Sequence, residues 1–295
     1  VNLTNLHDLP EAFVRAVTND PYTGGGDISV TKLIDSPQVR ILRKQYGHAV
    51  VEDVSDRIWS LLGQSVHTIL ERAGNETSDI QEERLFADVD GWKLSGQFDR
   101  MEVRSKTMDD YKVTSTYKVT GDHKDWERQL NVLRWLAIQN GYEVERLRIV
   151  AILRDFSKAK GLRDPDYPKQ AVVVVPIEVW PIEETYQYIR TRISLHQQAE
   201  AGTMVECTDD ERWFSGNKYA LMKKGAKRAI KLYERREDIP TPLTDGTFVE
   251  ERAGVYRRCA EYCEVAPFCE QYKPIREAVS TSLWESDNGD GGNGV

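Results

Sequence analysis

The sequence predicts an α/β fold, with a mixed central sheet flanked by helices and a helical C-terminal extension. Three observations predict it. Apolar residues recur at helical spacing from Val51 to Arg72, two extended runs meet at Asp90-Gly91, and a second helical stripe around Trp126 is followed by two more extended runs. Helices alternating with strands in this order pack on the two faces of a sheet.

In chain order, Pro21 to Gly26 (PYTGGG) reads as a loop and the surroundings of Ser36-Pro37 as a short helix. Val51, Val54, Ile58, Leu61, Leu62, Val66 and Ile69 then share one helical face, with Gly74 placed to end the helix. Glu83 to Val89 and Trp92 to Val103 form two strands across the Asp90-Gly91 hairpin turn, and Met108 to Thr114 a third. Trp126, Leu130, Leu133 and Ala137 make the stripe of a helix that stops near Gly141. Arg146 to Leu153 and Ala171 to Val179 read as strands. Ile182, Tyr186, Ile189 and Ile193 make a helix opened by Pro181. Lys218 to Arg236 is expected to be a basic helix, and the tail from Ser286 to Val295, rich in Gly, Asp and Asn, to be disordered. The boundaries expected are an N-terminal segment (1–27), a core (28–180), a helical region holding the cysteines (181–285) and the tail (286–295).

At 295 residues and 40% hydrophobic content, the chain can bury one sizeable core and a smaller module without disulfides. Its 48 acidic and 40 basic residues give a net charge of -8, which does not favour phosphate binding over the whole surface, so local patches decide. The opening residues lack a basic stretch followed by a long apolar run, and the longest apolar run, Ala171 to Val175, is too short to span a bilayer. A cytoplasmic protein with no membrane partner is the expectation.

In a strand, residues two apart point the same way, so Asp110 and Lys112 of Asp-Tyr-Lys emerge on one face. Asp99 lies eleven residues earlier on the preceding strand, and antiparallel pairing could bring the two aspartates together. Carboxylates that close repel unless a cation lies between them. A hard cation such as Mg²⁺ takes a few carboxylate oxygens and leaves room for water and phosphate, the setting that phosphodiester hydrolysis needs. The plain alternative is an ordinary charge pair on a solvated strand. Two neighbours weigh against it. His67 lies off the apolar stripe of its helix, one turn after Gly63, where close approach is open. Gln129 falls beside the stripe of Trp126, Leu130 and Leu133, where its amide needs a partner: structural, substrate or a catalytic side chain.

In order, Gly63-Gln-Ser-Val-His67, Gly96-Gln-Phe-Asp99, Asp110-Tyr-Lys112 and Gln129-Leu-Asn resemble the motifs of RecB-like PD-(D/E)xK nucleases, the phage-type exonucleases in particular, over roughly residues 28 to 140 and including Ile28-Ser-Val-Thr-Lys-Leu. The resemblance implies a restriction-endonuclease-like core. It also implies a metal-dependent deoxyribonuclease, an exonuclease acting in recombination, repair or phage DNA processing, with DNA and recombination or repair proteins as partners. His67, Asp99, Asp110 and the carbonyl of Tyr111 would hold Mg²⁺ or Mn²⁺, with Asp99, Asp110 and Lys112 catalytic and Gln129 lining the DNA site. The family often has tyrosine four residues after that glutamine; here Leu133 stands there. A structure-selective or CRISPR-adaptation-like endonuclease, and a non-catalytic DNA-binding protein, are the alternatives on the same fold.

Cys259, Cys263 and Cys269 follow a C-x3-C-x5-C spacing, and Cys207 is the remaining cysteine. The arrangement resembles the iron-sulfur nucleases of the same group, which implies a 4Fe-4S cluster, although their distant cysteine lies near the N-terminus and here Asp35-Ser36-Pro37 has none. Zn²⁺ and buried free thiols are the other readings. Lys223, Lys224 and Lys227, in the basic run, read either as a solvated helix face or as a docking site for the phosphate backbone.

Overall fold

Asp90 and Gly91 both adopt positive φ, 46° and 82°, which lets the chain reverse in two residues and pair Val89 with Trp92. That hairpin is one part of a computed structural model describing residues 1–19, 24–74 and 78–278. The expected tail lies outside the described residues, and the loop expected from Pro21 is described only from Gly24.

The strands are β1 (Asn2–Thr4), β2 (Ile28–Ser29), β3 (Val51–Asp53), β4 (Asp79–Gln81), β5 (Arg84–Val89), β6 (Trp92–Gln97), β7 (Arg100–Glu102), β8 (Thr107–Thr114), β9 (Arg146–Leu153), β10 (Val172–Ile177), β11 (Lys218–Lys223), β12 (Lys231–Tyr233) and β13 (Thr247–Arg252). The helices are α1 (Glu11–Thr18), α2 (Val30–Ile34), α3 (Pro37–Tyr46), α4 (Ile58–Arg72), α5 (Thr116–Thr120), α6 (Lys124–Gln139), α7 (Lys158–Arg163) and α8 (Ile182–Glu200). Two compact units result: Val1–Pro37 with His48–Met204, and Gln38–Gly47 with Val205–Val295.

The first unit is α/β, with mixed sheets flanked by helices. One sheet runs β10-β9-β8-β7-β4, in which β8 and β9 are parallel and the other pairs antiparallel; another runs β2-β6-β5. Helix α6 packs against both sheets and against α2 and α8. Its Leu130, Leu133 and Leu136 join Phe98, Met101, Met108, Leu147, Ile149 and Ile189 in a core from which water is excluded. Gly96 on β6 is required by that packing: a Cβ there would stand 2.6 Å from Leu133 Cδ2 and 2.7 Å from Val30 Cγ2. Among the described residues, no helix is long and apolar enough to cross a membrane.

Several expectations need correction. The strand expected from Trp92 to Val103 is two strands in different sheets, because Phe98 turns into the core and Asp99 leaves the ladder as the chain passes between them. The helix expected from Val51 begins only at Ile58; β3 and a 3-10 turn precede it, held by Asp53, whose carboxylate accepts from the backbone N–H groups of Leu6 and Ser55. Around Ser36-Pro37 the chain has two helices, α2 ending at Ile34 and α3 beginning at Pro37.

The helical C-terminal extension is also corrected. α8 is a helix opened by Pro181, as expected, but the second unit is built on the antiparallel sheet β12-β11-β13. The basic run is therefore not a helix. Gly225 adopts a φ of 80° and turns the chain, Ala226 N–H bonding the Lys223 carbonyl, while Ala220, Leu221 and Met222 are buried in β11. Lysine spacing suggested a helix; burial of these three apolar residues, with a glycine turn after them, makes a hairpin.

Candidate active site

The register of β7 on β8 pairs Arg100 with Asp109, and Asp99, one residue before β7, comes to lie beside Asp110 and Tyr111 of β8. Asp99 is 8% exposed at the break between β6 and β7, and its Oδ2 accepts the Tyr111 backbone N–H at 2.6 Å. That bond leaves Oδ1 facing His67 on α4, whose Nδ1 is 3.4 Å away.

Glu82 completes this corner, and sequence reasoning missed it. Its backbone N–H bonds the Asp99 carbonyl, and its Oε1 lies 3.6 Å from His67 Nδ1. Oε2 accepts from Gln97 Nε2 at 2.6 Å, while Gln97 Oε1 accepts from Arg84. The Gln97 of the Gly-Gln-Phe-Asp motif thus aims a carboxylate. Glu82 also holds a φ of 49°, uncommon for a non-glycine residue and the kind of strain retained at functional positions. Its only sequence signal was an acidic residue just before a strand.

His67, Glu82 and Asp99 offer ligand atoms within 4.8 Å of one another, and among the described residues this is the only such group of three. Asp99, then Glu82, raises the His67 imidazole to about 10, against the effect of burial. In this arrangement the imidazolium supplies the positive charge that the carboxylates need.

Asp110 stands outside that triad but beside it. It is 2% exposed; its Oδ1 accepts from Gln129 Nε2 at 3.1 Å, and Lys112 Nζ lies 2.6 Å from Oδ2. No hydrogen bond of good geometry satisfies the buried Oδ2. Burial pushes the Asp110 carboxyl up to about 6, Lys112 opposes the shift and Asp99 adds to it. Burial acts to lower the Lys112 ammonium, but Asp110 and Asp99 outweigh it and the group is raised. The lysine therefore stays protonated. The side chain of Gln129 orients Asp110, one of the three roles left open for it, while Leu133, where the family often has tyrosine, is buried in the core.

An open cavity of about 470 Å³ leads away from His67, Glu82 and Asp99 between Gly24–Lys32 and Gln129, with Lys32 and Arg84 on its wall. The donor set of imidazole and carboxylates is what a hard divalent cation takes, and Asp110 Oδ2, paired with Lys112 but short of a hydrogen bond, is a further donor.

The second unit brings all four cysteines to the lining of one small cavity, with Arg212, Arg258 and Gln271 among its other walls. No disulfide joins them. Gln271 fixes the Cys207 segment by bonding both its backbone N–H and its carbonyl. Burial raises the Cys263 thiol. No three of the sulfurs lie within 4.8 Å of one another, whereas a tetrahedral zinc would need them about 3.8 Å apart. Lys223, Lys224 and Lys227 are exposed at and after the end of β11 in the same unit.

No family model and no curated protein matches the chain. Two solved structures are similar in part. The crystal structure of SSO0001 has 18% sequence identity and a TM-score of 0.46, covering 69% of this chain and 91% of its own. A protein from Eubacterium rectale named as a candidate exonuclease has 12% identity and a TM-score of 0.33, covering 76% and 82%. At such scores neither likeness bears on what this chain does.

Proposed function

We propose that the chain is a metal-dependent DNA nuclease of the PD-(D/E)xK type, and that His67, Glu82, Asp99 and Asp110, with the Tyr111 carbonyl, hold Mg²⁺ or Mn²⁺. The observation that carries the reading is the meeting of imidazole and carboxylates beside a buried Asp110–Lys112 pair whose Oδ2 lacks a hydrogen bond. A divalent cation bound there supplies Lewis-acid polarisation and a lowered pKa for water. Gln129 and Lys112 hold Asp110 from its two sides, and Gln97 holds Glu82. Lys112, kept protonated, places a fixed positive charge where negative charge grows on a phosphate under attack. Arg84 and Lys32 on the cavity wall offer charge to the flanking phosphates.

The test compares linear and circular DNA, single and double stranded, in Mg²⁺, Mn²⁺ or EDTA, using wild type, Asp110→Ala and Lys112→Ala. Cleavage of linear DNA in either metal, lost in EDTA and in both variants, is expected. Cutting that persists in both variants sinks the mechanism; cutting of circles makes the enzyme an endonuclease.

For the second unit we propose an iron-sulfur cluster on Cys207, Cys259, Cys263 and Cys269, supported by the four thiols lining one cavity. Anaerobically purified protein is expected to be brown and to contain iron and sulfide. A colourless, iron-free and folded protein overturns this.

A further inference from the structure

The C-terminal ends of β8 and β9 emerge together just beyond Lys112. Arg154 N–H bonds the Thr114 carbonyl there, and the Asp155 carboxylate accepts the Thr116 N–H that starts α5. Two large aromatic side chains flank this edge in solvent. Tyr117 on α5 is 72% exposed, and Trp59 in the first turn of α4, the helix carrying His67, is 52% exposed. The Arg154 guanidinium lies 3.8 Å from the Trp59 ring centroid and has no ion pair among the described residues. Exposing two such rings forfeits the burial that aromatic residues ordinarily gain. In the segment that follows, α7 carries charge of one kind, with Lys158, Lys160 and Arg163 all exposed; Asp155, already engaged by α5, precedes it, and Asp164, Asp166 and Lys169 come after it.

We propose that Trp59, Arg154 and Tyr117 form a stacking platform for the unpaired bases of single-stranded DNA, with the cations of α7 beside its backbone. The occupant follows from the chemistry. Exposed ring faces take bases only when these are unstacked from a partner strand, and an arginine over an aromatic ring adds cation–π attraction to the phosphate contact. Duplex DNA hides its base faces and would engage the cations alone. The platform gives the site a strand preference, and in this it rests on the nuclease reading above.

The test measures binding of the full chain, in EDTA so that no cleavage intervenes, to a labelled single-stranded oligonucleotide and to the same sequence as a duplex. Both rings are exposed, so Trp59→Ala with Tyr117→Ala is expected to fold, which circular dichroism checks. The double variant should bind the single strand at least about tenfold more weakly, with duplex binding within about twofold of wild type. Trp59→Phe with Tyr117→Phe, which keeps ring faces, should restore most of the affinity. Unchanged single-strand affinity in the double alanine variant overturns the platform, as does wild type that fails to bind the single strand or an equal loss for both ligands. Failure of the nuclease reading appears separately, as wild type that binds DNA and cuts none in Mg²⁺ or Mn²⁺.

Discussion

Asp109 and Asp110 are adjacent on β8, and each is 2% exposed, yet the strand sends them to opposite faces and into opposite circumstances. Asp109 accepts from Arg100 at 2.7 Å and from Arg148 at 2.7 and 3.0 Å, and Arg100 continues to Asp79. Its charge is fully met by fixed donors. Asp110 has one amide, one lysine and an oxygen without a hydrogen bond. A buried carboxylate that is saturated serves the fold, whereas one left short of partners costs stability and keeps a lone pair available. Two neighbouring aspartates in one sequence therefore do different work, and only their partners distinguish them.

The largest expected effect exchanges the two roles. Asp110→Asn should lower DNA cleavage by about a thousandfold. In EDTA, wild-type stability should also fall between about pH 4 and pH 6, and that fall should be absent from Asp110→Asn. The sign follows from linkage: the folded pKa of Asp110 is raised to about 6, so its contribution to stability falls as pH climbs from about 4 to 6 and the deficit is complete above that. Asp109→Ala should do the reverse, costing about 3 kcal/mol by stranding Arg100 and Arg148 but keeping cleavage per folded molecule within a few fold. Denaturant unfolding and a cleavage assay on both variants decide this, and the contrast collapses if Asp109→Ala is the catalytically dead one.

Glu82→Gln comes next and sharpens the boundary of the site. It keeps the shape and the Gln97 contact but removes a charge from the His67–Glu82–Asp99 corner. Mn²⁺ affinity, measured by calorimetry, should fall by about tenfold to a hundredfold, with little change in unfolding midpoint. Unaltered Mn²⁺ affinity removes Glu82 from the set.

The proton on His67 gives a third effect. Its pKa is raised to about 10 by Asp99 and Glu82, so a cation that displaces it must release about one proton at pH 8. Mn²⁺ affinity is expected to climb with pH up to about 10, and the heat of binding to depend on the ionisation enthalpy of the buffer. In EDTA the sign is opposite: the stabilisation from His67 is complete below about pH 6.5 and disappears as pH rises to about 10. A buffer-independent heat would show that His67 is not displaced.

Much of the site was legible because it depends on short periods. The two-residue step of a strand placed Asp110 and Lys112 together, and antiparallel pairing with the preceding strand, β7 on β8, brings Asp99 beside them. Glu82 was not legible, since it reaches the site through a backbone bond to Asp99 and a contact from Gln97, neither of which has a sequence period. Cys207 lies fifty-two residues before Cys259, and nothing in that spacing showed that it would line the same cavity. The basic run misled for a related reason. Its charges follow helical spacing, but the short apolar stretch from Ala220 to Met222 and the turn at Gly225 decide its structure.

The smallest expected effect separates two glycines from the motifs themselves. Gly96 is needed by packing: Gly96→Ala would press a methyl against Leu133, Val30 and Leu136 at under 3 Å, costing about 1–3 kcal/mol. Gly63 has nothing within 4 Å of where its Cβ would stand, in mid-α4, one turn from both Trp59 and His67. Gly63→Ala should therefore raise stability by about 0.5–1 kcal/mol through helix propensity alone. If stability rises and single-strand affinity falls, the space at Gly63 belongs to DNA passing from the Trp59 ring toward His67. If stability rises and affinity holds, the strand does not pass over that turn of α4.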